Sequence, residues 1–133
     1  MSPNLKDFIV TGRLENVELG MSRTDVRRAA GNPDEMGGIS RRYRVPLVWR
    51  YGDIELHFSP DEDRLNLIFT DRFDEAPPID QVREELGRNG VSYTEAAWPY
   101  EHGGILMKTS LGVEMAFGGL PEMRLLSVGR RSL

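Results

Sequence analysis

The stretch Leu47-Val48-Trp49-Arg50-Tyr51-Gly52-Asp53-Ile54-Glu55-Leu56-His57-Phe58 constrains the fold of this chain more than any other. Gly52-Asp53 supplies the two central residues of a β-hairpin turn, with Gly free to take positive φ, and a two-residue turn fixes the register of both strands. Tyr51 then faces Ile54, Arg50 faces Glu55, Trp49 faces Leu56, Val48 faces His57 and Leu47 faces Phe58. Because side chains alternate along a strand, every large apolar residue except Val48 falls on one side. The other side carries an opposite-charge pair, Arg50 with Glu55, worth about 0.2–1 kcal/mol. The hairpin therefore belongs to a sheet with one covered face.

Upstream, Leu5, Phe8 and Ile9 recur at helical spacing and predict a short helix that ends near Gly12. Ser22 can cap a second helix, with Asp25 where a capping box has its acid and Val26, Ala29 and Ala30 as the inner stripe. Gly31 followed by Asn32-Pro33-Asp34 stops it. Residues Glu35 to Pro46 read as a loop rich in Gly and Arg. Downstream of the hairpin, Ser59-Pro60-Asp61-Glu62-Asp63 turns the chain into a third strand, Leu65 to Thr70, in which Leu65, Leu67 and Phe69 alternate and Ile68 points the other way.

The acidic linker Asp71 to Pro78, with two prolines, marks a boundary, and the remainder of the chain repeats the first half. Pro78-Ile79-Asp80-Gln81-Val82-Arg83-Glu84-Glu85-Leu86-Gly87 echoes the helix at Thr24 to Gly31. An aromatic loop runs from Tyr93 through Trp98 and Tyr100 to His102. Ile105–Thr109 and Val113–Phe117 form a second hairpin, closed by Ser110-Leu111-Gly112 with Gly in the left-handed position. That register sets Lys108 opposite Glu114, the counterpart of Arg50 opposite Glu55. Val26 and Val82 lie 56 positions apart, Ile54 and Val113 59, and Leu65 and Leu125 60, a nearly constant offset. The expected fold is α+β: two similar helix-hairpin-strand halves, 1–73 and 74–133, joined in one compact unit as a single antiparallel sheet with helices on one face.

A chain of 133 residues suffices for one shared core. No apolar run approaches the ~20 residues of a membrane span, and no cysteine offers a disulfide or a lipid attachment. The N-terminus lacks a basic segment followed by an apolar one. These features lead to the expectation of a cytoplasmic protein with no membrane partner. The net charge of −4 argues against nucleic acid and for a basic protein partner.

Candidate chemistry is sparse. His57 and His102 are the only imidazoles, and neither has a metal-type spacing with another ligand. No serine stands in a nucleophile-elbow context, Asp61-Glu62-Asp63 is too short for a calcium loop, and no Gly-rich segment leads into Lys-Ser or Lys-Thr. No metal, cofactor or catalytic residue is expected. The basic loop Arg41-Arg42-Tyr43-Arg44 reads either as a solvated segment paired with nearby acids or as a contact for phosphate, nucleic acid or an acidic protein. The side of the sheet away from the helices collects Val48, Ile68, Leu106 and Ala116 among Arg50, Glu55, His57, Lys108 and Glu114, apolar centres with charged flanks that suit a protein interface. Trp98, Tyr100 and His102 are anchors of the kind enriched at binding hot spots, although Trp98 also fits as a plug between halves.

The run Leu19-Gly20-Met21-Ser22-Arg23-Thr24-Asp25-Val26, then Gly31-Asn32-Pro33-Asp34, then Trp49-Arg50-Tyr51-Gly52, resembles a recurrent bacterial module. It is similar to that of the small outer-membrane assembly lipoproteins and, in tandem, of the secreted β-lactamase inhibitor proteins. The resemblance implies a helix pair on one face of an antiparallel sheet and a binding role without catalysis. With no cysteine for an anchor or a disulfide and an N-terminal stretch that does not read as a signal peptide, the expectation is a departure from both families. The expectation is a cytosolic immunity or inhibitor protein that neutralises a cognate toxin or enzyme by occlusion. The alternatives are an envelope assembly accessory without its export signal, or a small-ligand enzyme using His57 or His102.

Overall fold

The computed structural model describes residues 5–38, 45–99, 103–119 and 121–132. Along these residues the elements run α1 (Leu5–Thr11), α2 (Arg23–Ala30), β1 (Glu35–Gly37), β2 (Val48–Tyr51), β3 (Ile54–Phe58), β4 (Leu65–Thr70), α3 (Ile79–Arg88), β5 (Tyr93–Ala97), β6 (Ile105–Thr109), β7 (Val113–Gly118) and β8 (Arg124–Arg131). The strands form one antiparallel sheet in the order β1-β2-β3-β4-β8-β7-β6-β5. The last strand thus lies beside the fourth at the centre, and β1 and β5 are the edges. The fold is α+β, as the sequence predicts.

The second helix begins and ends where its caps place it, whereas α3 has no side-chain cap and continues through Gly87. The Ser22 hydroxyl accepts from the Asp25 N–H at 3.1 Å, and Gly31, at φ 81°, closes α2 by donating its N–H to the Arg27 carbonyl. Phe8, Ile9, Val26, Ile79, Val82 and Leu86 bury their side chains against one face of the sheet, where Trp49, Tyr51, Leu56, Phe58, Met107, Met115 and Phe117 meet them in a continuous core. Two cations fasten α2 to the first hairpin. The Arg27 guanidinium lies 4.9 Å over Trp49 and that of Arg23 4.8 Å over Phe58, while the two rings meet edge to face at 4.9 Å.

Both hairpin registers agree with those expected, Arg50 opposite Glu55 and Lys108 opposite Glu114. Two segments read as loops are strands. Glu35–Gly37 adds β1 to the hairpin edge, and Tyr93–Ala97 of the aromatic stretch forms β5 against β6. Neither has an apolar alternation to betray it, because edge strands of Glu, Gly and Ala bury little. The linker after β4 is also less separate than its prolines suggest. Leu125 donates its N–H to the Pro77 carbonyl and Ile79 to the Met123 carbonyl, each at 3.0 Å, so the linker's end is stitched to the start of β8.

The most consequential difference lies in β4. Phe58 pairs with Leu65 but His57 with Leu67, so Asn66 is an extra residue that resets the alternation. Leu65 and Ile68 both enter the core, each 1% exposed, whereas Leu67 and Phe69 turn to the opposite face. Ile68, expected outward, is therefore a core residue. The same device recurs in β8: Phe117 pairs with Leu125 and Ala116 with Ser127, leaving Leu126 as the extra residue.

Candidate functional site: the helix-free face of the sheet

No described helix covers the second face of the sheet, and a groove of about 590 Å³ runs across its centre. Its floor is built by cross-strand neighbours. In one row Glu55 of β3 stands beside Phe69 of β4, Gly129 of β8, Glu114 of β7 and Lys108 of β6. In the row on one side, His57 neighbours Leu67 and Leu67 neighbours Arg131. On the other side Ser127, Ala116, Leu106 and Ala96 succeed one another from β8 to β5. The result is an apolar diagonal from Leu67 and Phe69 through Ala116 to Leu106, which is 39% exposed, with ionic groups at its margins.

Gly129 makes the centre of this floor possible. A Cβ there would sit 3.0 Å from the Ile68 carbonyl oxygen and 3.2 Å from the Phe69 ring, so any side chain at this position would push the oxygen or the ring aside by a few tenths of an ångström. The lack of a side chain on β8 and the bulge in β4 together let Phe69 lie over its neighbour strand.

The flanking charges are largely satisfied within the sheet. Arg50 Nη2 is 3.0 Å from Glu55 Oε1, with both side chains partly buried, and Lys108 Nζ is 3.8 Å from Glu114 Oε1, with both exposed. Glu55 and Glu114 thus each have a cation beside them on the neighbouring strand, held closely at Glu55 and loosely at Glu114. Arg131 makes no ion pair or side-chain hydrogen bond among the described residues. His57 is half-buried, and its burial holds the imidazole pKa below the usual 6.5. The Glu55 carboxylate opposes that shift and the Arg131 cation adds to it. The ring is consequently neutral near pH 7, and its Nε2 is enclosed without a hydrogen-bond partner among the described residues.

Of the interface residues expected from sequence, Val48, Arg50, Glu55, His57, Lys108 and Glu114 share this face by register, and Ile68 does not. Trp98 comes directly after β5 at the sheet edge, its N–H donated to the Gly104 carbonyl at 3.0 Å, away from the seam where a plug between halves would sit. Tyr100, His102 and the basic loop residues Arg41, Arg42 and Arg44 lie outside the described residues. Sequence reasoning missed Leu67, Phe69, Gly129 and Arg131. For Leu67 and Phe69 the mark in the sequence is Asn66, a residue disfavoured inside strands, which only the pairing with β3 identifies as the extra one; nothing in the sequence marks Gly129 and Arg131.

Among the described residues no group of three or more His, Cys, Asp or Glu is arranged to hold a metal ion, and no helix is long and apolar enough to cross a membrane. No family model matches the chain, and neither does any curated protein or solved structure.

Proposed function

We propose that the protein is a non-catalytic binding module that occludes a partner protein with the helix-free face of its sheet, in the manner of a bacterial immunity or inhibitor protein set against a toxin or enzyme. The observation that carries this reading is the groove itself: an apolar floor of Leu67, Phe69, Ala116 and Leu106 left open between ion pairs. Apolar centres with polar rims are the anatomy of specific protein interfaces. A basic partner would engage Glu114 before Glu55. The exposed Lys108–Glu114 pair costs little to open, whereas Arg50–Glu55 is half-shielded and closer.

Descent from a duplicated unit, with halves 1–73 and 74–133, belongs to the same proposal. The bulge residues Asn66 and Leu126 stand 60 positions apart, the separation of Leu65 from Leu125. Gly20 and Met21 bond to Leu65 at the start of β4 much as Pro77 and Ile79 bond at the start of β8. The sheet order, β1 to β4 and then β8 to β5, is the order that two copies joined at their last strands would produce.

The test is co-expression with the product of the adjacent gene, then light scattering on the eluted complex. A one-to-one complex that Leu106→Asp weakens by about tenfold or more supports the reading. Absence of a stoichiometric partner, or a complex indifferent to Leu106→Asp, contradicts it.

A further inference from the structure

We infer that the groove is also a site for a small amphipathic carboxylate, an apolar chain ended by one anionic group. Three observations lead there, none of which depends on the immunity reading. The volume of about 590 Å³ lies inside the range of roughly 300–1,000 Å³ used by small-ligand sites, and the lining is chiefly apolar with a few polar groups at its margin. Of the two carboxylates of the lining, Glu55 is held by Arg50 in a half-shielded pair that an amine or guanidine ligand would have to break, and Glu114 at the exposed margin already faces Lys108. Arg131, by contrast, is without an ion-pair partner among the described residues, and its guanidinium can take a carboxylate with two parallel hydrogen bonds.

The placement of these groups sets the ligand's shape. Arg131 and Leu67 stand as cross-strand neighbours at one end. Leu106 lies two strands beyond Arg131, in the row of Ser127 and Ala116, four residues back along β8. With strands ~4.8 Å apart and a rise of ~3.4 Å per residue, the diagonal from Arg131 to Leu106 is about 17 Å long. Phe69, lying across Gly129, and Ala116, a small side chain beside Leu106, leave a trough for an extended chain instead of a deep hole for a compact ring system. His57, neutral near pH 7, adds no second charge at the carboxylate end.

The experiment is calorimetric titration of the intact protein with decanoate and, separately, with decan-1-ol, both below their aggregation concentrations. Decanoate is expected to saturate one site per chain and to bind about tenfold more tightly than the alcohol, the value of one charge-assisted contact. Arg131→Gln, at an exposed position on the last strand, should erase that preference while leaving alcohol binding and the melting temperature in place. Ala116→Phe, which fills the trough, should abolish binding of both ligands. Failure of decanoate to saturate overturns the proposal, as does equal affinity for acid and alcohol, a preference that survives Arg131→Gln, or binding that survives Ala116→Phe. A protein partner on the same face would compete with decanoate, yet the isotherm is measured without one, so either reading can fail alone.

Discussion

At the scale of single residues, Arg23 ties the start of α2 to the first hairpin through three different contacts. Its guanidinium is paired with Asp63, donates to the Pro46 carbonyl at 3.2 Å and covers the Phe58 ring, with the side chain only 16% exposed. Arg23→Ala should therefore cost about 2 kcal/mol, read as a drop in the urea midpoint, since a cation–π contact and a charge-assisted hydrogen bond vanish together. A loss below about 0.5 kcal/mol, the level of an ordinary surface change, would show that α2 is not held this way. His57 gives a second residue-scale prediction. Its folded pKa lies below the unfolded value, so the unfolded chain takes up the proton first as pH falls. The stabilisation is whole above about pH 6.5 and declines as pH drops through the lower folded value. His57→Gln should flatten the fall in urea midpoint from about pH 7 to about pH 5 relative to the parent. An unchanged profile in the variant would remove burial as the governing influence.

At the scale of elements, the seam between β4 and β8 decides which side chains reach the open face. Both strands carry a bulge, and bulges bend and twist the strand that holds them. Gly129 sits at the crossing point, and its need is for space, since the obstacle is the backbone oxygen of Ile68, which cannot rotate away. Gly129→Ala should destabilise by about 1–3 kcal/mol, the usual cost of overpacking, and should disturb Phe69 before any distant residue. A neutral Gly129→Ala in thermal melts would mean that the seam is looser than the register requires. Capping and turn chemistry made much of this level readable in advance. Ser22, Gly31, Gly52 and Gly112 each act where their chemistry places them, because a cap or a two- or three-residue turn is a local decision. The β4 alternation was not readable in the same way. Leu65, Leu67 and Phe69 form a cleaner period-two pattern than the true set, and only the pairing with β3 reveals Asn66 as the extra residue. The two edge strands escaped because pairing on one side alone demands little of their side chains.

At the scale of the whole molecule, one sheet carries helices on a single face, and the hairpins announced that asymmetry in their residue order. They placed Val48, Arg50, Glu55, His57, Lys108 and Glu114 on the open side, and the reading erred at Ile68 because one extra residue inverts every later side chain along a strand. The groove is a product of that inversion: Leu67 and Phe69 would otherwise lie in the core, and the centre of the open face would present Ile68 instead. The apolar groove on the open face depends on this exchange of sides. Because the chain contains no cysteine, single thiols can be introduced at Leu67 and at Ile68 and their labelling rates compared in the folded protein. Leu67→Cys should react at nearly the rate of an unfolded control, while Ile68→Cys should be protected by about a hundredfold or more, its reaction waiting on unfolding. Equal rates, or protection at position 67 with free reaction at 68, would put the apolar floor on the wrong side of the sheet.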